Sequence, residues 1–208
     1  MNKRLIWNFE IDGKRALKLP KQTDDADDNI RWEIRYFWPE QAIITIHNLD
    51  KSFLELANYQ IKQRQDVYYL MPDKEYNIKF RRQELLYKPL VSEHNGCQGF
   101  ARKISLADCT ENDILPGTGH LTALEFSEQI RSQSTKIHVD KEAFIYKFAT
   151  APSIKLELAR FHTAGKTFFS VCIEGRSQKL VEQVASNLIK DKSPCGYVPF
   201  LKQTINHD

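Results

Sequence analysis

Charged residues recur at alternate positions in several short segments of this 208-residue chain. In the segment 30–38, Arg31, Glu33 and Arg35 alternate with apolar residues such as Trp32 and Ile34. Because successive side chains of a β-strand point to opposite faces, the three charged residues would share one face. Clustered basic groups bind phosphate oxygens, and carboxylates beside them are ligands for divalent cations. If such faces meet in one cavity, the spacing predicts polyanion binding, with or without a metal ion.

The same alternation is found in later segments. Lys79 and Arg81 would share one face of a strand over residues 76–81. Other charged residues that alternate with apolar ones in predicted strands are Lys88, Lys103, Lys155, Glu157 and Glu174. The region 136–148 contributes Lys136, Lys141 and Lys147, which strict alternation cannot place on one face. We therefore expect a β-bulge or a short break in that strand.

Two arrangements of these charged faces fit the pattern. In the first, they face water, as in a half-exposed antiparallel sheet with an unrelated interaction role. In the second, they line the lumen of a closed barrel, and the apolar faces pack against helices outside it. Such a lumen would concentrate cations and attract a polyanion. The alternation alone does not decide between the two.

Short strands joined by short links dominate the pattern. About eight strands are predicted, including one over 66–71 that Pro72 ends, and helices are expected over roughly 50–59 and 121–130 and after Ser177. The expected fold class is α+β and mainly antiparallel β, a closed tunnel-like barrel with helices packed outside. The expected organisation is an N-terminal lead segment over 1–29, a barrel domain over 30–190 and an irregular tail over 191–208, which contains Pro194 and Pro199.

Composition excludes several functional classes. The formal net charge is +3, and 41% of residues are hydrophobic, which is typical of an ordered globular protein rather than a dedicated nucleic-acid binder. No glycine motif for dinucleotides or phosphate loops occurs, and the four cysteines lack metal-ligand spacing. No apolar run is long enough to span a membrane, and no secretory signal is evident. We expect a cytoplasmic protein with reduced thiols and no membrane partner.

Three groups of residues resemble the CYTH family, whose members include the triphosphate tunnel metalloenzymes. They are the segment Asp66-Val67-Tyr68-Tyr69, the alternating pair Lys79 and Arg81 followed by Lys88, and the segment Cys172-Ile173-Glu174 before a helix. Their order and spacing cover roughly residues 30–190. The family's first barrel strand carries E-x-E-x-K, and here the matching residues are Arg31, Glu33 and Arg35. The closing E-x-E of the family is reduced to Glu174, because Cys172 replaces its first glutamate.

The resemblance implies a phosphate-gripping set of basic residues and a metal-binding set of carboxylates. The expected ligand-binding residues are Arg31, Arg35, Lys79, Arg81, Lys88, Lys103 and Lys136. The expected ligands for Mg²⁺ or Mn²⁺ are Glu33, Glu157 and Glu174. Since Mg²⁺ often needs only one or two carboxylates in addition to phosphate oxygens, the altered motifs leave activity open.

Two functional hypotheses follow from these residues. In the first, the protein is a metal-dependent triphosphatase or a related phosphohydrolase that acts on a triphosphate-bearing substrate. In the second, it is a non-catalytic module that binds polyphosphate, a nucleotide or an RNA end. The expected partner in both is a phosphate-rich small molecule, a nucleotide or RNA.

Overall fold

The computed structural model describes residues 2–13, 17–20, 26–27 and 29–205. The remaining parts of the predicted lead segment and the last three residues of the tail lie outside the described residues.

Thirteen strands form in this part of the chain, and ten of them make one antiparallel sheet. The strands are β1 (Lys3–Ile6), β2 (Phe9–Ile11), β3 (Arg31–Pro39), β4 (Ile44–Ile46), β5 (Tyr59–Leu70), β6 (Asn77–Arg81), β7 (Glu84–Lys88), β8 (Leu90–His94), β9 (Cys97–Phe100), β10 (Ile104–Ser105), β11 (Thr135–Lys147), β12 (Lys155–Thr163) and β13 (Lys166–Gly175). The order in the large sheet is β10-β7-β6-β5-β11-β12-β13-β3-β9-β8. Strands β1, β2 and β4 form a separate three-stranded sheet.

The α+β class with a mainly antiparallel sheet is confirmed, but the expectation of a closed barrel of about eight strands is wrong. The large sheet has ten strands and curls into an open barrel whose end strands, β10 and β8, do not pair with each other. Strands β7 and β8 are one chain segment interrupted at Pro89, and they pair at opposite ends of the sheet. Proline has no backbone N–H to donate to a ladder, so the segment leaves one side of the sheet there and joins the other.

Three α-helices accompany the sheet in the described chain: α1 (Ala123–Gln133), α2 (Gln178–Leu188) and α3 (Tyr197–Ile205). The predictions of α1 and of α2 after Ser177 are confirmed, and the Ser177 hydroxyl accepts a hydrogen bond from the Leu180 N–H. Helix α2 packs its apolar side on the outer face of the sheet, in a core shared with Trp32 and Ile34. No helix in the described part of the chain is long and apolar enough to cross a membrane.

Two predicted elements differ from the structure. The helix expected over 50–59 is a pair of short 3₁₀ helices, Lys51–Leu54 and Leu56–Asn58, because β5 begins at Tyr59 and pairs with β11 over its whole length. The bulge expected in β11 is absent, because its register with β5 runs from Thr135 to Tyr146 without a shift.

The predicted irregular tail contains helix α3, which packs on the inner face of the curled sheet. The Phe200 ring stacks on that of Phe37 with centroids 3.9 Å apart, and the Tyr197 ring stacks on that of Tyr68 at 5.1 Å. Phe37 and Tyr68 follow the charged residues on the inner faces of β3 and β5. Helix α3 therefore closes one end of the space inside the curled sheet with aromatic side chains. It is part of the barrel domain.

Replacing the fully buried Leu201 of α3 should destabilise the whole domain if α3 is part of the core. We expect Leu201→Ala to lower the free energy of unfolding by about 2–4 kcal/mol in urea denaturation. The matched control is Leu124→Ala on α1, where the leucine is exposed, and the expected change is below about 0.5 kcal/mol. Equal small effects of both variants would contradict the placement of α3 in the core.

Candidate polyanion-binding site

The inner face of the curled sheet encloses a cavity of about 260 Å³ that is lined mainly by charged side chains. Its basic residues are Arg31, Arg35, Lys62, Arg64, Lys79, Lys88, Lys141 and Lys155. Its acidic residues are Glu33, Glu157 and Glu174. We call this cavity the lumen. Eight basic residues against three glutamates leave a formal excess of five positive charges along its wall.

Each lumen glutamate is held by lysine or arginine. The Lys88 ammonium donates to Glu33 at 2.9 Å, and the Glu157 carboxylate accepts from Lys141 at 2.9 Å and from Arg35 at 3.1 Å. Glu174 accepts from Arg31 and Lys155, both at 3.2 Å. The carboxylates therefore cross-link basic residues from different strands.

The basic surroundings keep two of these carboxylates ionised although they are buried. Burial alone would raise the pKa of Glu33, but the nearby Lys88 and Arg35 charges lower it below the ordinary value. For Glu157, burial again opposes ionisation, and Lys141 and Arg35 lower the pKa well below its usual range. The lumen therefore holds a network of charges rather than neutral acids.

Lys79 is a lumen cation that none of the three glutamates binds. It has no salt bridge with any residue that the structure describes, and its ammonium lies 5.4 Å from the centre of the Tyr68 ring. Burial, together with the positive charges of Arg81, Lys141 and Lys88, lowers the pKa of Lys79 to about 7. An anion in the lumen would stabilise its charged form.

Arg81 lies beside the lumen rather than in its wall. Its guanidinium donates two hydrogen bonds to the buried carboxylate of Asp66, which satisfies both charges. Arg81 and Lys103 line a second, wider cavity of about 1070 Å³. This cavity, which we call the vestibule, shares Lys62, Arg64 and Lys141 with the lumen.

Four of the seven residues predicted as ligands line the lumen, Arg81 and Lys103 line the vestibule, and Lys136 lines neither cavity. Arg31, Arg35, Lys79 and Lys88 line the lumen, whereas the exposed Lys136 lies against the Tyr69 ring on the other face of β11. The unbroken register of β11 explains this placement, since residues 136 and 141 then point to opposite faces.

Sequence reasoning misses other lumen residues. Lys62 and Arg64 are missed because the predicted strand begins at Asp66 instead of Tyr59. Extending that strand backwards in steps of two residues from Asp66 would have placed both on its face. Tyr197 comes from the tail that was expected to be irregular, so no signal in the strand pattern could have indicated it.

The residues predicted to bind Mg²⁺ or Mn²⁺ do not fit a metal site formed by the protein alone. Among the described residues, no group of three or more His, Cys, Asp or Glu side chains could hold a metal ion. Glu33, Glu157 and Glu174 are each bound to lysine or arginine, and those cations would repel an incoming divalent ion. The predicted metal site is therefore not supported as a resident centre.

Comparisons with known proteins find solved structures with a distant likeness to this chain. No family model matches it, and no curated protein matches it. Similar solved structures include a candidate adenylate cyclase of Bacillus halodurans, with 10% identity, a TM-score of 0.36 and coverage of 69% of this chain and 83% of that chain. Another is an RNA triphosphatase of S. pombe, with 10% identity, a TM-score of 0.31 and coverage of 86% and 81%. Likeness at this level assigns neither family nor ligand to this chain.

Replacing Lys79 with methionine should stabilise the ligand-free protein. The folded-state pKa of Lys79 is about 7, below its unfolded value, so protonation favours unfolding and stability increases as the pH rises from 7 towards 10. We expect Lys79→Met to raise the free energy of unfolding by about 1–2 kcal/mol at pH 7, or roughly 3–6 °C in Tm, and by less at pH 9.

Lys136→Met is the matched control, because Lys136 is exposed outside the lumen. Thermal melts of both variants at pH 7 and pH 9 check the prediction. A lower Tm for Lys79→Met than for the parent at pH 7 would contradict an uncompensated charge at Lys79.

Proposed function

We propose that this protein binds the triphosphate group of a small molecule or a nucleotide in the lumen. The observation that carries the proposal is the excess of five positive charges along the wall of an enclosed cavity. Arg35 and Lys141 are buried, and the other six basic residues of the wall are partly exposed. Positive charges gathered around one cavity repel one another unless partners of opposite charge offset that cost. Since the three glutamates are already shared among basic residues, a polyanion is the partner that completes the balance.

The chemistry of the wall suits phosphate in particular. Arginine presents planar N–H groups that donate to phosphate oxygens, and lysine adds point charges. Arg31, Arg35 and Arg64 project from two strands that are separated in the sheet by β11, β12 and β13. A phosphate chain between them would contact both sides of the lumen.

The dimensions of the two cavities suggest how a larger ligand would divide between them. The lumen, at about 260 Å³, is below the roughly 300–1,000 Å³ typical of sites for whole small molecules. It therefore suits a phosphate chain, and the adjoining vestibule of about 1070 Å³ has room for a nucleoside or an RNA end.

Hydrolysis of a metal–triphosphate complex is the second candidate function. Glu33 and Glu174 are direct partners in the ladder between β3 and β13, and both line the lumen. Two neighbouring carboxylates are enough for a Mg²⁺ ion that keeps phosphate oxygens and water among its ligands. In this case the cation would arrive as part of the substrate.

Tripolyphosphate binding tests the proposal most simply. We expect calorimetry at pH 6.5 to show binding that weakens as the salt concentration rises, since exposed parts of the site are screened. Lys79→Met should weaken binding by about 10- to 100-fold through loss of a charged contact, whereas Lys136→Met should leave it unchanged. Because Lys79→Met is expected to be the more stable protein, lost binding would not reflect unfolding. Unchanged affinity in Lys79→Met would contradict the proposed site.

Glu174→Gln separates binding from hydrolysis. The substitution removes a negative charge beside Arg31 and Lys155, so tripolyphosphate should bind several-fold more tightly. Any phosphate released in the presence of Mg²⁺ or Mn²⁺ should decrease in the same variant. Glu128→Gln, at an exposed position of α1 that lines neither cavity, is the matched control. Hydrolysis that is insensitive to Glu174→Gln would contradict the second candidate.

A further inference from the structure

Three buried polar atoms of residues that line the lumen have no hydrogen-bond partner among the described residues. They are the Arg35 Nε, the Asn77 Oδ1 and the Tyr197 hydroxyl oxygen, and all three residues line the same cavity. Each of these residues is more than nine-tenths buried. Buried polar groups are nearly always hydrogen-bonded in folded proteins, so these three residues of one cavity are candidates for contact with a bound ligand.

A continuous set of contacts joins these residues to Lys79. The Arg35 guanidinium lies 5.0 Å from the centre of the Tyr197 ring, and that ring stacks on Tyr68. The Lys79 ammonium lies 5.4 Å from the Tyr68 ring, and Asn77 precedes Lys79 by two residues on the same face of β6. The unpartnered atoms and Lys79 therefore belong to one part of the lumen.

This part of the lumen is where α3 closes it. Phe37 and Phe161 of the sheet pack against Tyr197 and Phe200 of the helix, with ring centroids between 3.9 and 5.9 Å apart. These aromatic rings fill the space beyond Tyr197. A phosphate chain that reaches Tyr197 cannot continue past it.

We propose that Arg35, Asn77 and Tyr197 form a subsite for the terminal phosphoryl group of the bound chain. This inference rests on the proposed function and extends it, because it makes the protein selective for ligands with a free phosphate end. A linear triphosphate can place its last phosphoryl group against α3, whereas a cyclic phosphate has no such group.

The donors of the subsite match a terminal phosphoryl group. That group has three non-bridging oxygens, and an internal phosphoryl group has two. The Arg35 Nε–H and the Tyr197 hydroxyl can each donate to one oxygen, and the Asn77 amide can donate to the third after a 180° rotation exchanges its oxygen and nitrogen. Burial raises the pKa of Tyr197 well above its ordinary value, so the hydroxyl keeps the proton that it would donate.

Tyr197→Phe tests the subsite, because it removes one hydroxyl and keeps the ring that stacks on Tyr68. Calorimetric titrations should compare linear tripolyphosphate with cyclic trimetaphosphate. We expect Tyr197→Phe to weaken tripolyphosphate binding by about 10-fold and to leave trimetaphosphate binding unchanged. The matched control is Tyr87→Phe. The Tyr87 hydroxyl donates to the Pro116 carbonyl outside the lumen, so its removal should change neither affinity.

The outcomes separate this inference from the proposed function. If tripolyphosphate binds and Lys79→Met weakens binding as expected, but Tyr197→Phe binds as the parent does, the subsite is wrong and the proposed function stands. An equal loss for the linear and the cyclic anion in Tyr197→Phe also overturns the subsite. If the parent binds neither anion, both the proposed function and the subsite fail.

Discussion

The charge imbalance of the lumen is the constraint on which the rest of this structure depends. Eight basic side chains and three glutamates line one enclosed cavity, and each glutamate is bound by basic residues. Such an arrangement costs folding free energy unless an anion enters, because like charges gathered around one partly buried cavity repel one another. Lys79 shows the cost most directly, since burial and neighbouring cations lower its pKa to about 7. Proteins commonly accept such a cost at a binding site.

The curled sheet keeps these charges together because its inner face carries the charged side chains and its outer face carries apolar ones. Strict alternation along β3, β12 and β13 sends charged side chains inward and apolar ones outward, where Ile34 and Leu156 share a core with α2. The bent segment at Pro89 carries Lys88 across to Glu33 and so joins the two arms of an open sheet. Helix α3 then closes one end of the lumen with Tyr197 and Phe200.

Local sequence pattern predicts the charged strand faces and the start of α2. The closure of the sheet and the position of α3 depend on long-range packing. The alternation around Glu33 correctly predicted a strand with one charged and one apolar face, and Ser177 correctly marked the start of α2. The closure of the barrel could not be predicted, because it depends on which strands pair. Helix α3 was missed because Pro199 suggested irregular chain, yet a proline in the first turn of a helix loses no hydrogen bond. Its position inside the sheet comes from aromatic packing that no local signal encodes.

Proton uptake on ligand binding tests the central claim most directly. If the lumen is a polyphosphate site, an anion beside Lys79 should raise the pKa of that lysine from about 7, and the parent should take up a proton when tripolyphosphate binds at pH 8.5. Calorimetry in buffers of different ionisation enthalpy gives the number of protons. The account predicts that the parent takes up nearly one proton more than Lys79→Met. Equal uptake by the two proteins, or no binding at low salt, would contradict it.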